Sequence, residues 1–534
     1  MNYLTVDSAT TSTSPDKNDE ATNNEDLEVD NSQSVLLKIA TLYAEQLMSD
    51  LILEVGGVGY PAHRLILCAS SEVFQVMLMN REWSEWRESR IVLQETPTGA
   101  SVFPHFLKYF YTGQIRISHQ TVLPVLSLAD KYNVKDLVTL CLSYMSQHIA
   151  QAAKRGQLIS WMQYTMACGH NDVAKACQNF VKWNMEWVMD SELAELEDDT
   201  LLSLLQHSDL VLHNEMTLYQ FVVRWLNKQK ERLNTSDLSE TELKAHWDSL
   251  VTTVFSHVRF PMMCPNQLAK LLLCPLTQEH KEFFMERMAI AMSYQSGQYE
   301  RVREVQRCAG GRLLFTPRLY TEDTWGSVLA VDNFHGLPSY HTRTFIFSTR
   351  PCMADEAAER LSEWTVDLYP KGVWFRKSML IVWSGTYDVP EVVLRTVRIS
   401  ITCQSCPEQA NRYEYGEYSE PDVRVKIGIL VWGVQNGVEH VASVVERVHR
   451  FSAQNRVLNI DGALDFDELN TPLYSPAAPT APAGKQGRCQ KCADACDGRE
   501  PRHLLGPNRD QLRIQVVIVP LTDFCHVGGS ESNG

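Results

Sequence analysis

The stretch from Asp50 to Leu78 breaks a strand alternation at a glycine pair, resumes it and then turns to a helical period, and few folds can follow it. Leu51, Leu53 and Val55 alternate with Ile52 and Glu54, the pattern of a strand with one buried face. Gly56-Gly57 supply a turn, and Val58 to Pro61 bring the chain back as a second strand. From Arg64 onward Leu65, Cys68, Ala69, Val73, Phe74, Met77 and Leu78 form the broad apolar face of a buried helix. Strand, tight turn, strand and buried helix in that order predict a mixed α/β domain in the N-terminal third.

The flanks extend the same pattern. Val35 to Met48 is predicted as a helix, with Leu36, Ile39, Tyr43 and Leu47 on one stripe. Ile91-Val-Leu93 and Ile115-Arg-Ile117 are short predicted strands. Between them Phe103, Phe106, Leu107, Phe110 and Tyr111 recur at helical spacing until Thr112-Gly113 stops the helix. Val122 to Tyr132 and Val134 to Ile149 are two further predicted helices. The run Tyr60-Pro-Ala-His63-Arg64, the segment Phe103-x-x-Phe106-Leu-x-Tyr109-x-Tyr111-Thr-Gly113-x-Ile115 and Leu128-Ala-Asp130-Lys131-Tyr132 together resemble the BTB/POZ domain, over residues 34–149. The resemblance implies an interaction module without a catalytic centre, in which Asp50, His63 and Arg64 shape the fold and a charged groove. It also implies a homodimer in which the first helix packs on the partner through Leu36, Ile39, Tyr43 and Leu47. A short helix with an apolar stripe needs such cover.

Many BTB proteins recruit the cullin-3 scaffold through a hydrophobic-x-Glu motif just past the buried helix. Two overlapping candidates stand here, Trp83-Ser84-Glu85 and Trp86-Arg87-Glu88. Spacing from Phe74 and to Ile91 favours Trp83 and Glu85, with Trp86 and Glu88 in reserve and Tyr111 as a second contact. A large apolar anchor beside an orienting charge suits an interface hot spot. The competing reading is a tryptophan that merely covers the domain core.

Residues 150–300 are predicted to be helical throughout. Leu212-His213-Asn214-Glu215-x-x-Leu218-Tyr219-x-x-Val222-x-x-Trp225 and Val258-Arg259-Phe260-Pro261 resemble the BACK domain, whose first helices extend the cullin groove. His207 and His213 read as ordinary histidines, with no further ligand pair near them.

From about residue 305 the period becomes that of short strands: Leu313–Phe315, Thr344–Phe347, Trp364–Tyr369, Met379–Trp383, Val392–Thr402, Val423–Trp432 and Leu512–Val519. Such spacing predicts an all-β sandwich. No repeat of about 50 residues of the kelch kind is visible. Trp364-x-Val-x-Leu368-Tyr369-Pro370-Lys371-Gly372 resembles the TRAF/MATH sandwich, which implies capture of extended peptides in a shallow groove. A Pro-rich insert at 473–508 interrupts it. Cys489-x-x-Cys492-x-x-x-Cys496 offers half of a zinc site, but His503 and Cys525-His526 complete it poorly, so a thiol-bearing loop is expected. The order BTB–BACK–TRAF, with the Trp83 to Trp86 run and the Leu368 to Gly372 turn, is similar to the BTB/POZ domain-containing protein 17 group.

Composition narrows the function classes. The chain has 534 residues and a net charge of −16, which argues against nucleic acid as a partner. Residues 1–33 carry eight acids against Lys17 alone and few large apolar groups, so an acidic disordered tail is expected. No secretory leader and no run of about 18 apolar residues is present, so no membrane span is expected. Fourteen scattered cysteines suit reduced thiols in the cytoplasm. No cysteine has an evident His or acidic companion, and neither a cofactor nor a metal is called for. The expectation is a non-enzymatic substrate adaptor of a cullin-3 RING ubiquitin ligase, with an unknown protein substrate. The alternative is a BTB scaffold in trafficking or signalling that does not bind the cullin.

Overall fold

The computed structural model describes residues 30–192, 195–235, 239–308, 310–350, 361–374, 381–382, 385–386, 394–405, 422–470 and 502–521. The acidic tail, Cys489, Cys492, Cys496, Cys525 and His526 lie outside them. Two compact units are present. The first comprises residues up to 117 together with 124–138, and the second 118–123 together with 139 onward.

The first unit begins with helix α1 (Ser32–Ala44), then β1 (Leu51–Val55), β2 (Val58–Ala62), α2 (Arg64–Ser70), α3 (Glu72–Met79), β3 (Arg90–Leu93) and α4 (Pro97–Thr112). Strand β1 pairs antiparallel with β2 and parallel with β3. Both glycines of the connecting turn adopt positive φ, 57° at Gly56 and 80° at Gly57, which a side chain would oppose. Helix α4 starts at Thr96, whose hydroxyl accepts the Gly99 amide, and stops at Gly113 in the left-handed region. Phe74, Phe103 and Phe106 are fully buried, and Phe74 stacks on Tyr132 at 4.6 Å. Helices α5 (Val122–Lys131) and α6 (Lys135–Gln147) span the border of the two units.

Three expectations fail in this unit. The buried helix expected from Arg64 to Leu78 is two helices, because Ser71 is extended and its hydroxyl caps α3 by accepting the Phe74 amide, and the break leaves Leu65, Ala69 and Val73 exposed. The first helix ends at Ala44 rather than Met48, because the chain turns through positive φ at Gln46 and Met48. Ile115–Ile117 forms no strand.

The second unit carries a helical array from Ile149 to Leu314, then the sandwich. The array is not wholly helical: β4 (Val211–Leu212) pairs in parallel with β5 (Leu319–Tyr320). Leu313 and Leu314 fall in a short helix, Gly311–Leu314, where a strand was expected. Three adjacent apolar residues do not distinguish the two periods.

Beyond it come β6 (Gly326–Val331), β7 (Arg343–Thr349), β8 (Ser362–Tyr369), the small pair β9 (Ile381–Val382) and β10 (Gly385–Thr386), then β11 (Arg398–Cys403), β12 (Val423–Gln435), β13 (Val438–Phe451), β14 (Val457–Ile460) and β15 (Leu512–Pro520). Two antiparallel four-stranded sheets, ordered β14-β11-β8-β7 and β13-β12-β15-β6, face each other. Trp364, Val366, Leu368, Ile399 and Ile401 from one meet Ile427, Ile429, Ile514, Val516 and Ile518 from the other. Leu504 and Leu505, within the expected insert, are buried in the sandwich.

The second sheet is covered on both faces. Leu430, Val441, Val517 and Val519 point away from the sandwich core and pack with Ile290, Tyr294, Leu319 and Tyr320. Double cover explains the consecutive apolar residues Ile429–Trp432 in β12 and Val516–Val519 in β15.

Candidate interaction site

The loop after α3 carries the Trp83–Glu88 candidates. Ser84–Trp86 form one 3₁₀ turn, entered through the Trp83 amide bonding the Asn80 carbonyl at 3.2 Å. Arg64 holds this loop. Its guanidinium donates to the carbonyls of Leu78 and Glu85, both at 3.4 Å, and of Glu88. Its backbone amide donates to Asp50 at 2.9 Å. The charged residue that marks the helix start in the sequence therefore fastens the following loop from beneath.

That fastening leaves Trp83 48% exposed. Trp86 is half-buried, with the guanidinium carbons of Arg81 and Arg87 at 5.6 and 5.3 Å from its ring centroid. Its ring faces are thus engaged by cations of its own chain. Glu85 is half-buried and Glu88 exposed. Hydrogen bonds from its own backbone amide and from the Ser84 hydroxyl hold the Glu85 carboxyl below the usual range, so it stands as a firm anion beside Trp83. The structure separates Tyr111 from this group. It is 2% exposed, and its hydroxyl accepts the His63 amide at 3.0 Å. Burial pushes its phenol up to about 12, so it remains neutral within the fold and offers no surface for contact.

The other candidate surface is α1, which buries no residue within its own chain. Leu36 is 49% exposed; Ile39 is half-buried. Tyr43 turns inward, its ring 5.0 Å from Tyr111 and its hydroxyl donating to the Pro104 carbonyl at 3.3 Å. Leu47 lies beyond the helix end, and its carbonyl meets His63 Nε2 at 2.7 Å. The neighbouring Val35 and Leu37 are exposed by 51% and 68% and extend the apolar surface beyond the predicted stripe. Their place in one unbroken apolar triplet was the available signal.

The third group to emerge was only a motif in the sequence. Glu215 is fully buried and receives the Arg259 amide at 2.7 Å, the Tyr320 hydroxyl at 2.8 Å and the Arg318 guanidinium. Burial alone would raise its carboxyl, but Arg318 and Arg259 outweigh it and hold the group below the ordinary value. Arg318 also donates to the Leu205 carbonyl at 2.6 Å, and Lys426 on β12 donates to the carbonyls of Ser208 and Pro317 at 2.8 and 3.0 Å. A buried charge network of this kind ties the helical array to the sandwich.

Family models match along the chain in that order: the BTB/POZ domain at residues 40–149, BACK (BTB And C-terminal Kelch) at 158–273, and the BTBD17 TRAF domain at 315–522. The chain carries a BTB/POZ, a BACK and a C-terminal TRAF domain, in that order. Among curated proteins, BTB/POZ domain-containing protein 17 of Xenopus laevis is 28% identical over 327 residues, which is 60% of this chain and 63% of that one. The human protein of the same name is 28% identical over 67% of this chain and 70% of its own. Galectin-3-binding protein of Mus musculus is 23% identical over 82% of this chain and 71% of its own. The match to the Xenopus laevis relative thus spans just under two thirds of that relative's length. Each module of this BTB–BACK–TRAF chain is of an interaction type, and no catalytic family is matched. Among the described residues no helix is long and apolar enough to cross a membrane.

Proposed function

We propose that this chain is a non-enzymatic substrate adaptor of a cullin-3 RING ubiquitin ligase, working in the cytoplasm as a homodimer. The observation that carries the reading is the exposed Trp83 beside the anionic Glu85, on a loop that Arg64 fastens immediately after the BTB helix. A rigidly presented aromatic anchor loses little side-chain freedom on binding. Trp83 and Glu85 dock the cullin, with Trp86 and Glu88 at the rim. Residues 34–149 and 150–300 supply the docking and dimer surfaces, and 305–534 capture the substrate. Two receptors in one dimer raise avidity without new contacts. The cytoplasmic placement draws support from the buried thiols of Cys141, Cys177 and Cys403.

Co-purification with cullin-3 tests the reading. The wild-type chain is expected to retain the cullin, and the double variant Trp83→Ala/Glu85→Ala to lose most of it. Equal recovery by both would refute the site. No recovery by either would leave the scaffold alternative standing and remove the adaptor.

A further inference from the structure

A cavity of about 350 Å³ opens where the helical array meets the outer sheet of the sandwich. Three tryptophans line it, Trp183 and Trp187 from the array and Trp432 from β12, and two carboxylates join them, Glu186 and Glu439. The walls are fixed. Asn184 exchanges two hydrogen bonds with the backbone of Val441, at 2.8 and 3.1 Å, and Glu186 accepts the His213 amide. Preorganised walls of this kind favour a defined guest over a loose one.

The chemistry of the lining is two-sided. Aromatic faces beside carboxylates attract a cation. The chain already uses that attraction at the edge of the cavity: the Arg513 guanidinium stands 5.6 Å from the Trp432 ring centroid and 3.6 Å from Glu439. Two carboxylates against this one arginine leave the crevice a net negative charge that both share, since the Arg513–Glu439 pair is long and Glu186 is engaged by an uncharged amide donor. The indole N–H groups of Trp183 and Trp432 are buried away from the crevice, so these two tryptophans offer it apolar ring surface. A guest that fits carries a positive charge at the end of an apolar stem, as lysine and arginine do.

We propose that this crevice is a recognition site for a lysine or arginine residue of a peptide partner. The charged end of the side chain lies beside Trp187, Glu186 and Glu439, and its apolar stem packs on the rings of Trp183 and Trp432. The site lies at the junction of two domains, where ligand pockets commonly form. It is separate from the loop proposed to dock the cullin, and the two readings are tested by different assays.

The probe is an N-acetylated, C-amidated tripeptide with a central arginine, titrated into the full-length chain and followed by saturation-transfer NMR and calorimetry. A matched peptide with a central glutamate is the control. Saturable binding of the arginine peptide alone is expected, weakened about tenfold by Glu186→Gln and by Trp187→Ala. Glu186 lies at the surface and glutamine keeps the acceptor for the His213 amide, so Glu186→Gln should melt like the wild type, whereas Trp187, whose ring packs 5.8 Å from that of Phe180, loses some stability as alanine. Should either melt lower, Glu439→Gln, whose side chain is 47% exposed, is read in its place. Absence of saturation up to about 10 mM, equal binding of the glutamate peptide, or unchanged affinity in the variants would overturn the assignment.

Discussion

Arg64 illustrates how one side chain can serve a surface it does not join. Its guanidinium reaches the carbonyls of Leu78, Glu85 and Glu88, so it sets the path of the loop that displays Trp83. Replacing it by alanine should speed amide exchange across residues 83–88 and lower cullin recovery, while Trp83 itself is intact. Arg64→Lys should not rescue, because a single ammonium cannot hold three separated carbonyls as a planar fork does. Glu215 is the opposite case, a charge whose loss is felt directly. Glu215→Ala leaves Arg318 and Arg259 buried without their anion, and should lower stability by about 3–5 kcal/mol, read by denaturant titration. The pH dependence follows from the direction of its shift. Burial raises the Glu215 carboxyl, and the two arginines more than reverse this, so its folded value lies below its unfolded one. Its contribution is then complete above the unfolded value of about 4.3 and lost as pH falls through the folded value. The gap between wild type and Glu215→Gln should therefore close in acid melts below about pH 4. Lack of any pH dependence in that gap would contradict the assignment.

At the scale of elements, α1 exposes Val35, Leu36 and Leu37 and has no fully buried residue, although Tyr43 turns inward. If it packs on a second copy, Leu36→Asp should convert dimer to monomer at micromolar concentration by light scattering, with helix content nearly unchanged. A wild-type monomer would dispose of the interface. Elements also show where sequence reading succeeds. Strands β8 and β15 and helix α4 were legible because their periods matched their burial: β8 buries Trp364, Val366 and Leu368 at alternate positions. Strand β13 was missed although it is the longest. Its valines at 438, 441, 444 or 445, and 448 recur at helical spacing. They do so because helices cover its first half while its second half is more exposed, so burial does not follow a simple alternation. The candidate site was legible only in part. Trp83 and Glu85 could be named from their distance to Phe74, but the inward turn of Tyr43 and the burial of Tyr111 depend on contacts across tens of residues that no local pattern encodes.

For the whole molecule, the helical array and the sandwich belong to one compact unit. Residues 319–320 pair with the array as β5, and Lys426 on β12 bonds to the Ser208 carbonyl of the array. A fragment of residues 315–534 would expose Leu430, Val441, Val517 and Val519 to water and leave Lys426 without that carbonyl. It should be insoluble or bind an apolar dye, whereas a fragment beginning at residue 139 should unfold in one transition that includes both parts. A stable, well-dispersed NMR spectrum from the shorter fragment would refute the coupling.

That coupling bears on how such a chain can change over evolutionary time. Kin with other C-terminal domains are often pictured as beads exchanged at linkers. Here the border near residue 315 is a border in sequence but not in energy, because Glu215 belongs electrostatically to Arg318 and Tyr320 beyond it. A recombination that brought in a new C-terminal domain at that point would leave buried Glu215 with Arg259 alone, so exchange is favoured when the incoming segment carries its own arginine to meet it.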